Sequence, residues 1–263
     1  VPLSTRQKSD DLRHAQVKSR AKSLYLTGDF LEIDFFGVLE SAGPDTCLDL
    51  KQIVNIGSEG SGRIRSMDDW RARITPVPDL PVVESDAPAM ISFTSGTTSS
   101  PKGAVLGHGS LIHTAHSVGE RMAINLGDRA VSAMPFYHNG GFVPTLMSSL
   151  MFGCPLHSQP RFDPEYVLSI IARERCTLLS GVGTIFTMMI DSPEFSRTDL
   201  SSLRAVRITG PVDERRAVVE RFGNVALFSL WGMTETTSTA TLSCLGDSTR
   251  EQVDTNGKPL PGK

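Results

Sequence analysis

Residues 94–103 read Thr-Ser-Gly-Thr-Thr-Ser-Ser-Pro-Lys-Gly, so six hydroxyl side chains, two glycines and one lysine share ten positions. Such a set can cradle phosphate. Gly96 and Gly103 let backbone N–H groups approach an anion, Thr94, Ser95, Thr97, Thr98, Ser99 and Ser100 add donors, and Lys102 supplies a mobile positive charge. A Walker A loop would end in Gly-Lys-Ser/Thr, whereas Lys102 follows Pro101 and precedes Gly103. Composition alone fits a Ser/Thr-rich surface loop equally well.

Further residues could do chemistry downstream. His138 lies in Met134-Pro135-Phe136-Tyr137-His138-Asn139-Gly140-Gly141. A lone histidine is ordinarily a packed or surface residue. Glu235 lies in Leu230-Trp231-Gly232-Met233-Thr234-Glu235-Thr236 and offers a hard oxygen ligand. His113, His116 and Glu120 are spaced to share one helix face, as zinc ligands do. With no HExxH and no complete ligand set, a helix surface is the better reading.

The elements that must position these residues follow from periodicity. Leu12, Ala15, Val17 and Ala21 among basic residues predict an amphipathic first helix. Short strands are expected at 23–26 and 53–56, and 57–86 reads as a surface connection with one short helix near 68–71. From 87 onward apolar runs at 89–93, 131–134, 177–179, 205–208 and 225–230 alternate with helical patterns at 109–122, 142–151, 164–174, 184–190 and 213–221. That alternation predicts an α/β fold with a largely parallel sheet covered by helices on both faces. The expected division is 1–86, a partial first α/β subdomain with its connection, and 87–263, the ligand-binding core. Ligands of such sheets bind beyond the carboxyl ends of the strands, which is where the singled-out loops fall.

Composition narrows the function classes. With 39% hydrophobic and 21% charged residues the chain resembles an ordinary globular protein, and its net charge of -3 argues against a nucleic-acid binder. Cys47, Cys154, Cys176 and Cys244 are scattered without a CxxC pair and read as buried thiols of a reducing compartment, not a disulfide framework or zinc site. The uncharged stretch 139–160 is broken by three glycines and two prolines besides its terminal Pro160 and reads as a buried helix, not a membrane span. No charged-then-apolar leader opens the chain, and the cytoplasm is the expected location.

The order of residues goes further than their composition. Thr-Ser-Gly-Thr-Thr-x-x-Pro-Lys-Gly resembles the phosphate-binding signature of the adenylate-forming superfamily: acyl-CoA synthetases, luciferases and peptide-synthetase adenylation domains. Four more segments match that family in the same order. The 134–141 segment is similar to its P-x-x-H-x-x-G loop, which implies His138 and Asn139 beside the acyl group. Asp163-Pro164 opens a linker helix, with Asp163 as N-cap. Gly183 replaces the proline that shapes the floor of the family's carboxylate pocket, so it belongs by resemblance to the acyl site. Trp231-Gly232-Met233-Thr234-Glu235 resembles the Y-G-x-T-E motif, which implies an aromatic face near adenine, Thr234 on phosphate, Gly232 between nucleotide and acyl group, and Glu235 on Mg²⁺. Gly210 and Pro211 stand in a shortened form of the adenine-contacting S-G-A-A-P strand end. Gly257-Lys258-Pro259-Leu260-Pro261-Gly262 is similar to the family's G-K-P-x-P-G turn.

The resemblance implies activation of a carboxylic acid by MgATP to an acyl-adenylate, then transfer to coenzyme A. Lys102, Thr234 and Glu235 are the implied catalytic residues. Two alternatives remain: a non-catalytic nucleotide-binding module, and an adenylation domain feeding a carrier protein, against which Met233 argues because those domains usually carry proline there. The expectation is also that the start of the family's amino-terminal region, its ribose-binding aspartate, and its small carboxy-terminal domain with the catalytic lysine lie outside these 263 residues. Such a chain would be inactive alone and prone to self-association through uncovered apolar surface.

Overall fold

The computed structural model describes residues 1–43, 49–57, 60, 62–75, 79–94 and 101–263. Two compact units divide after Val105, later than the change of pattern at residue 87. The first contains α1 (Ser9–Ser19), β1 (Ser23–Leu26), β2 (Asp29–Phe30), β3 (Ile33–Asp34), α2 (Phe35–Ser41), β4 (Gln52–Asn55), β5 (Ile64–Ser66), α3 (Met67–Arg71) and β6 (Pro88–Phe93). β7 (Gly103–Gly107) straddles the division.

β1, β4 and β5 form a parallel sheet in that order. Leu39 and Ile53 are buried there against Leu12, Leu24, Leu26 and Ile64. β5 corrects the reading of 57–86 as a connection with one short helix, the helix itself standing as α3. The strand's three residues are too few to display an alternation, and its register (Ile53↔Ile64) is set by β4. Ser66 then caps α3, its hydroxyl accepting from Asp69 N at 3.1 Å.

β6 corrects a second expectation. The apolar run at 89–93 is a strand, but it pairs with β7 in a separate two-stranded sheet and does not join the large parallel one. An apolar run predicts burial; it does not name the partner strand.

The second unit carries α4 (His108–Arg121), β8 (Ala130–Ser132), α5 (Asn139–Gly141), a π-helical turn (Phe142–Met147) and α6 (Ser148–Met151). β9 (Leu156–His157), α7 (Pro164–Glu174), β10 (Leu178–Val182), α8 (Gly183–Asp191), β11 (Ala205–Thr209), α9 (Val212–Phe222) and β12 (Ala226–Trp231) follow. β13 (Thr241–Leu242), α10 (Thr249–Asp254) and β14 (Lys258–Pro259) close the unit. One seven-stranded sheet runs β14-β13-β12-β11-β10-β8-β9, parallel from β12 to β9, with β13 and β14 antiparallel.

Alternation along the strands builds a core on each face. Val131, Leu179, Val206, Ile208 and Leu227 pack with Val167, Phe186 and Val218 of α7, α8 and α9. Ala130, Leu178, Ala205, Phe228 and Leu230 pack with Val118 of α4 and with Met122. Local sequence accounts for α7 in full: Asp163 Oδ1 accepts from Glu165 N at 2.9 Å and Tyr166 N at 3.2 Å, and Pro164 takes the first helical position.

The amino ends of the strands are tied by ions. Arg204 donates to Asp128 through Nε at 2.7 Å and Nη2 at 2.6 Å, and Thr177 Oγ1 donates to the same carboxylate at 2.6 Å. Burial alone would raise the Asp128 carboxyl; Arg204, Thr177 and the Asn125 N–H outweigh it and hold the group below its ordinary value. Cys154 and Cys176 are buried thiols, Cys176 pushed up by burial to about 11; Cys244 is only half-buried, which corrects the reading of it as buried, and Cys47 lies outside the described residues. No helix among the described residues is long and apolar enough to cross a membrane.

Candidate active site

From β8 the chain crosses to β9 on one side, and from β10 it proceeds to β11 on the other. The sheet therefore changes direction between β8 and β10, and the carboxyl ends of those strands flank the crevice where open α/β sheets take ligands. β8 leads into His138 and Asn139; β10 leads into Gly183. Two strands further, β12 leads into Trp231 and Glu235.

The loop after β12 is tightly wound. Thr234–Thr236 forms a 3-10 turn, Met233 O accepts from Thr236 N at 3.1 Å and Ser238 N at 3.0 Å, and Thr237 N donates to Thr234 O at 3.0 Å. Thr237 and Ser238 hold left-handed φ values of 61° and 78° without being glycine, a strain that collects at ligand sites. Gly232 lets the winding close, since a Cβ there would overlap the Ser238 carbonyl. Trp231 and Met233 are left exposed, and so is the Glu235 carboxylate. Lys263 Nζ donates to Thr236 O at 3.1 Å, setting a cation one residue beyond Glu235.

The turn after β8 meets this loop. His138 Nδ1 accepts from Gly140 N at 3.0 Å and caps α5. Burial lowers the imidazole below its ordinary value, and a nitrogen that accepts an N–H carries no proton, so the ring is neutral at pH 7 with its proton on Nε2. Asn139 is buried; its Nδ2 donates to Thr234 O at 3.5 Å, while its Oδ1 has no partner among the described residues.

Gly183 and Gly210 come together at the ends of β10 and β11, and the Glu214 carboxylate rests on both. A Cβ on Gly183 would overlap that carboxylate directly. Pro211 is the N-cap of α9, so the shortened strand end feeds the helix at once and brings Glu214 over the two glycines. Motif order names the glycines but not Glu214, whose place in the first turn of α9 is that of an ordinary helix-start acid.

It also missed Arg207, hidden within the run read as apolar at 205–208. Arg207 is buried, with Nη2 donating to Gly140 O at 3.2 Å and to Thr145 Oγ1, and burial pushes its guanidinium down to about 10. The signal was available: a lone arginine inside a buried strand requires partners.

In the first unit, the mouth of the hydroxyl-rich loop is closed by Thr94 N donating to Lys102 O at 2.9 Å, and the Lys102 side chain is exposed. His14 braces the same mouth, with Nε2 2.7 Å from Pro101 O and its ring edge-on to Phe93 at 5.7 Å. Ser95, Gly96, Thr97, Thr98, Ser99 and Ser100 lie outside the described residues. An apolar cleft of that unit, lined by Leu3, Leu12, Leu24, Leu26 and Phe35, contains none of the sequence-predicted site residues.

Glu235 is an unpaired carboxylate among the described residues, and no set of three metal-ligating side chains gathers around it. That donor set fits Mg²⁺, which is commonly held by one or two carboxylates together with phosphate oxygens and water. His113 Nε2 instead lies 2.6 Å from Pro261 O, and His116 pairs with Glu120 at 3.3 Å.

The family model of AMP-binding enzymes matches residues 1–263. YngI of Bacillus subtilis (strain 168) is 32% identical over 221 residues, covering 81% of this chain and 40% of that protein. The mitochondrial medium-chain acyl-CoA ligase ACSF2 of Bos taurus is 33% identical over 182 residues, covering 66% of this chain and 30% of that one. The chain thus spans less than half the length of these relatives. The anthranilate CoA ligase AuaEII in complex with anthranoyl-AMP superposes with a TM-score of 0.86 at 22% identity, over 99% of this chain and 50% of that chain. At that identity the likeness shows the fold, the one expected of adenylate-forming enzymes. The matched model and the arrangement of loops lead to one conclusion: the chain belongs to the AMP-binding enzyme family, whose relatives here are acyl-CoA ligases.

Proposed function

We propose that these residues form the nucleotide- and acid-binding part of an enzyme that joins a carboxylic acid to AMP, releasing pyrophosphate, and then passes the acyl group to coenzyme A. One observation carries the reading: the Asn139–Thr234 hydrogen bond joins the turn after β8 to the loop after β12, so two motifs of the resemblance meet at the ligand end of one parallel sheet. The relatives' names supply the acceptor, since they are CoA ligases.

In this reading Thr94, Ser95, Gly96, Thr97, Thr98 and Ser99 receive the phosphates and Lys102 neutralises charge on them. Trp231 offers its flat face to adenine, with Gly210, Pro211, Gly232 and Met233 alongside. Thr234 donates to phosphate. Glu235 would hold Mg²⁺, which when bound supplies charge neutralisation between phosphate oxygens. His138, Asn139, Gly183 and Gly232 take the acid. Neutral His138 adds no charge that would trap the carboxylate away from phosphorus, and its Nε2–H is free to orient an oxygen.

The test is pyrophosphate release from ATP and Mg²⁺ over short, long and aromatic acids, using the natural protein that contains this chain. Acid-dependent release is expected, and no release with any acid would refute the reading. The 263 residues alone are expected to bind ATP weakly and to make no acyl-CoA.

A further inference from the structure

Arg207 is a buried cation with no opposite charge paired to it among the described residues. Its Nη2 is held by the Gly140 carbonyl and the Thr145 hydroxyl, both neutral, and its buried Nε has no partner. Burial is the cause found acting on its ionisation, with no carboxylate offsetting it. Taking a guanidinium out of water without a counter-charge is costly. A buried polar group left unmet calls for an explanation, and an absent binding partner is one.

The position of Arg207 says where that partner would lie. In parallel register Ser132, Ser180 and Arg207 stand on the same face of β8, β10 and β11. Two serines and an arginine thus cross the strands that flank the change of direction in the sheet. Phe228, in register with Arg207 on β12, lies on the same face. Arg207 grips Gly140, two residues beyond His138, and next to it Asn139 keeps a buried Oδ1 without a partner. Thr145 lies inside the π-helical turn, and its hydroxyl also donates to Gly140 O at 3.1 Å. π-turns of this kind occur frequently at functional sites.

Resting on the function proposed above, we infer that Arg207 marks the far end of the acid site and selects carboxylic acids carrying a second negatively charged group, which meets the guanidinium at its unpartnered Nε. The carboxylate to be activated lies toward His138 and the nucleotide, and the second anion replaces the counter-charge that the fold omits. A plain alkyl acid would leave the buried cation unmet. Arg207 is then a specificity residue that touches substrate.

The experiment compares α,ω-dicarboxylic acids of three to eight carbons with monocarboxylic acids of the same length, as kcat/KM for pyrophosphate release by the natural protein containing this chain. The best dicarboxylic acid should exceed its matched monocarboxylic acid by about 10- to 100-fold, the worth of one hydrogen bond to a charged group. Arg207→Met should abolish or reverse that preference while MgATP affinity stays within about twofold, a ligand-specific loss of one contact. Arg207→Lys should retain part of it. Monocarboxylic acids favoured by the wild type, or a preference unchanged in a folded Arg207→Met protein, would overturn the inference and leave the proposed function standing. No release with any acid would remove the proposed function and this inference together. If Arg207→Met fails to fold, the wild-type preference decides alone.

Discussion

Two arginines three residues apart mark the difference between the two ends of the parallel sheet. Arg204, at the amino end of β11, meets Asp128 through two hydrogen bonds, and Thr177 and Asn125 complete that carboxylate's set. Arg207, at the middle of the same strand, meets only a carbonyl and a hydroxyl, and its Nε has no partner among the described residues. The same contrast runs along both edges. The amino edge carries the Arg204–Asp128 ion pair, whereas the carboxyl edge exposes Trp231, Met233 and Glu235 and holds Thr237 and Ser238 in the left-handed region. The Arg204–Asp128 pair supports the fold, and in the proposed function the unmet groups and backbone strain at the other edge serve a ligand.

If that division holds, substitutions on the ligand side should reduce chemistry without loosening the fold, and those on the amino edge should do the reverse. The largest effect expected is Lys102→Ala, a change at the exposed phosphate loop. Pyrophosphate release should fall by about 100- to 1000-fold, the usual loss for one preorganised charge, with the melting temperature unchanged. An unaltered rate would remove Lys102 from the nucleotide's surroundings.

Next in size is Arg204→Ala, which strands the buried Asp128 carboxylate. Stability measured by urea unfolding should drop by about 3 kcal/mol, with little change in MgATP affinity. The pair also sets an acid limit. Asp128 is held below its ordinary value, so its stabilisation is full above the unfolded carboxylate pKa of about 3.9 and is lost as pH falls through the folded value. Arg204→Ala should flatten that acid-side fall. A steep fall retained in the variant would assign it to other carboxylates.

The smallest effect expected is Glu235→Gln, which exchanges a hard anionic ligand for a neutral amide. The Mg²⁺ concentration giving half-maximal activity should rise by about tenfold. An identical magnesium dependence would return Glu235 to a turn-opening acid that complements a helix end.

How far the sequence anticipated all this depends on the range over which each feature is determined. α7 was legible to its ends, because Asp163, Pro164 and the apolar spacing of Val167, Leu168, Ile170 and Ile171 act within one helix. The β10, β11 and β12 runs were legible as strands for the same local reason. β5 and the partner of β6 were not, since pairing and register belong to strands elsewhere in the chain. Among the candidate site residues, motif order names His138, Gly183, Trp231 and Glu235. Arg207 and Glu214 escaped because their roles arise only where Gly140 and Thr145, or Gly183 and Gly210, are brought to them from distant segments. The π-helical turn escaped too; helical spacing does not separate it from an α-helix over six residues.

The central claim is that ligands occupy the carboxyl edge of the parallel sheet, and amide hydrogen exchange with and without MgATP and a non-hydrolysable acyl-adenylate analogue tests it most directly. Slowed exchange is predicted in residues 134–141 and 231–238, with residues 123–129 at the Arg204–Asp128 edge unaffected. Protection at that amino edge or around the Leu3–Leu24 cleft, with the two carboxyl-edge segments unchanged, would contradict the account.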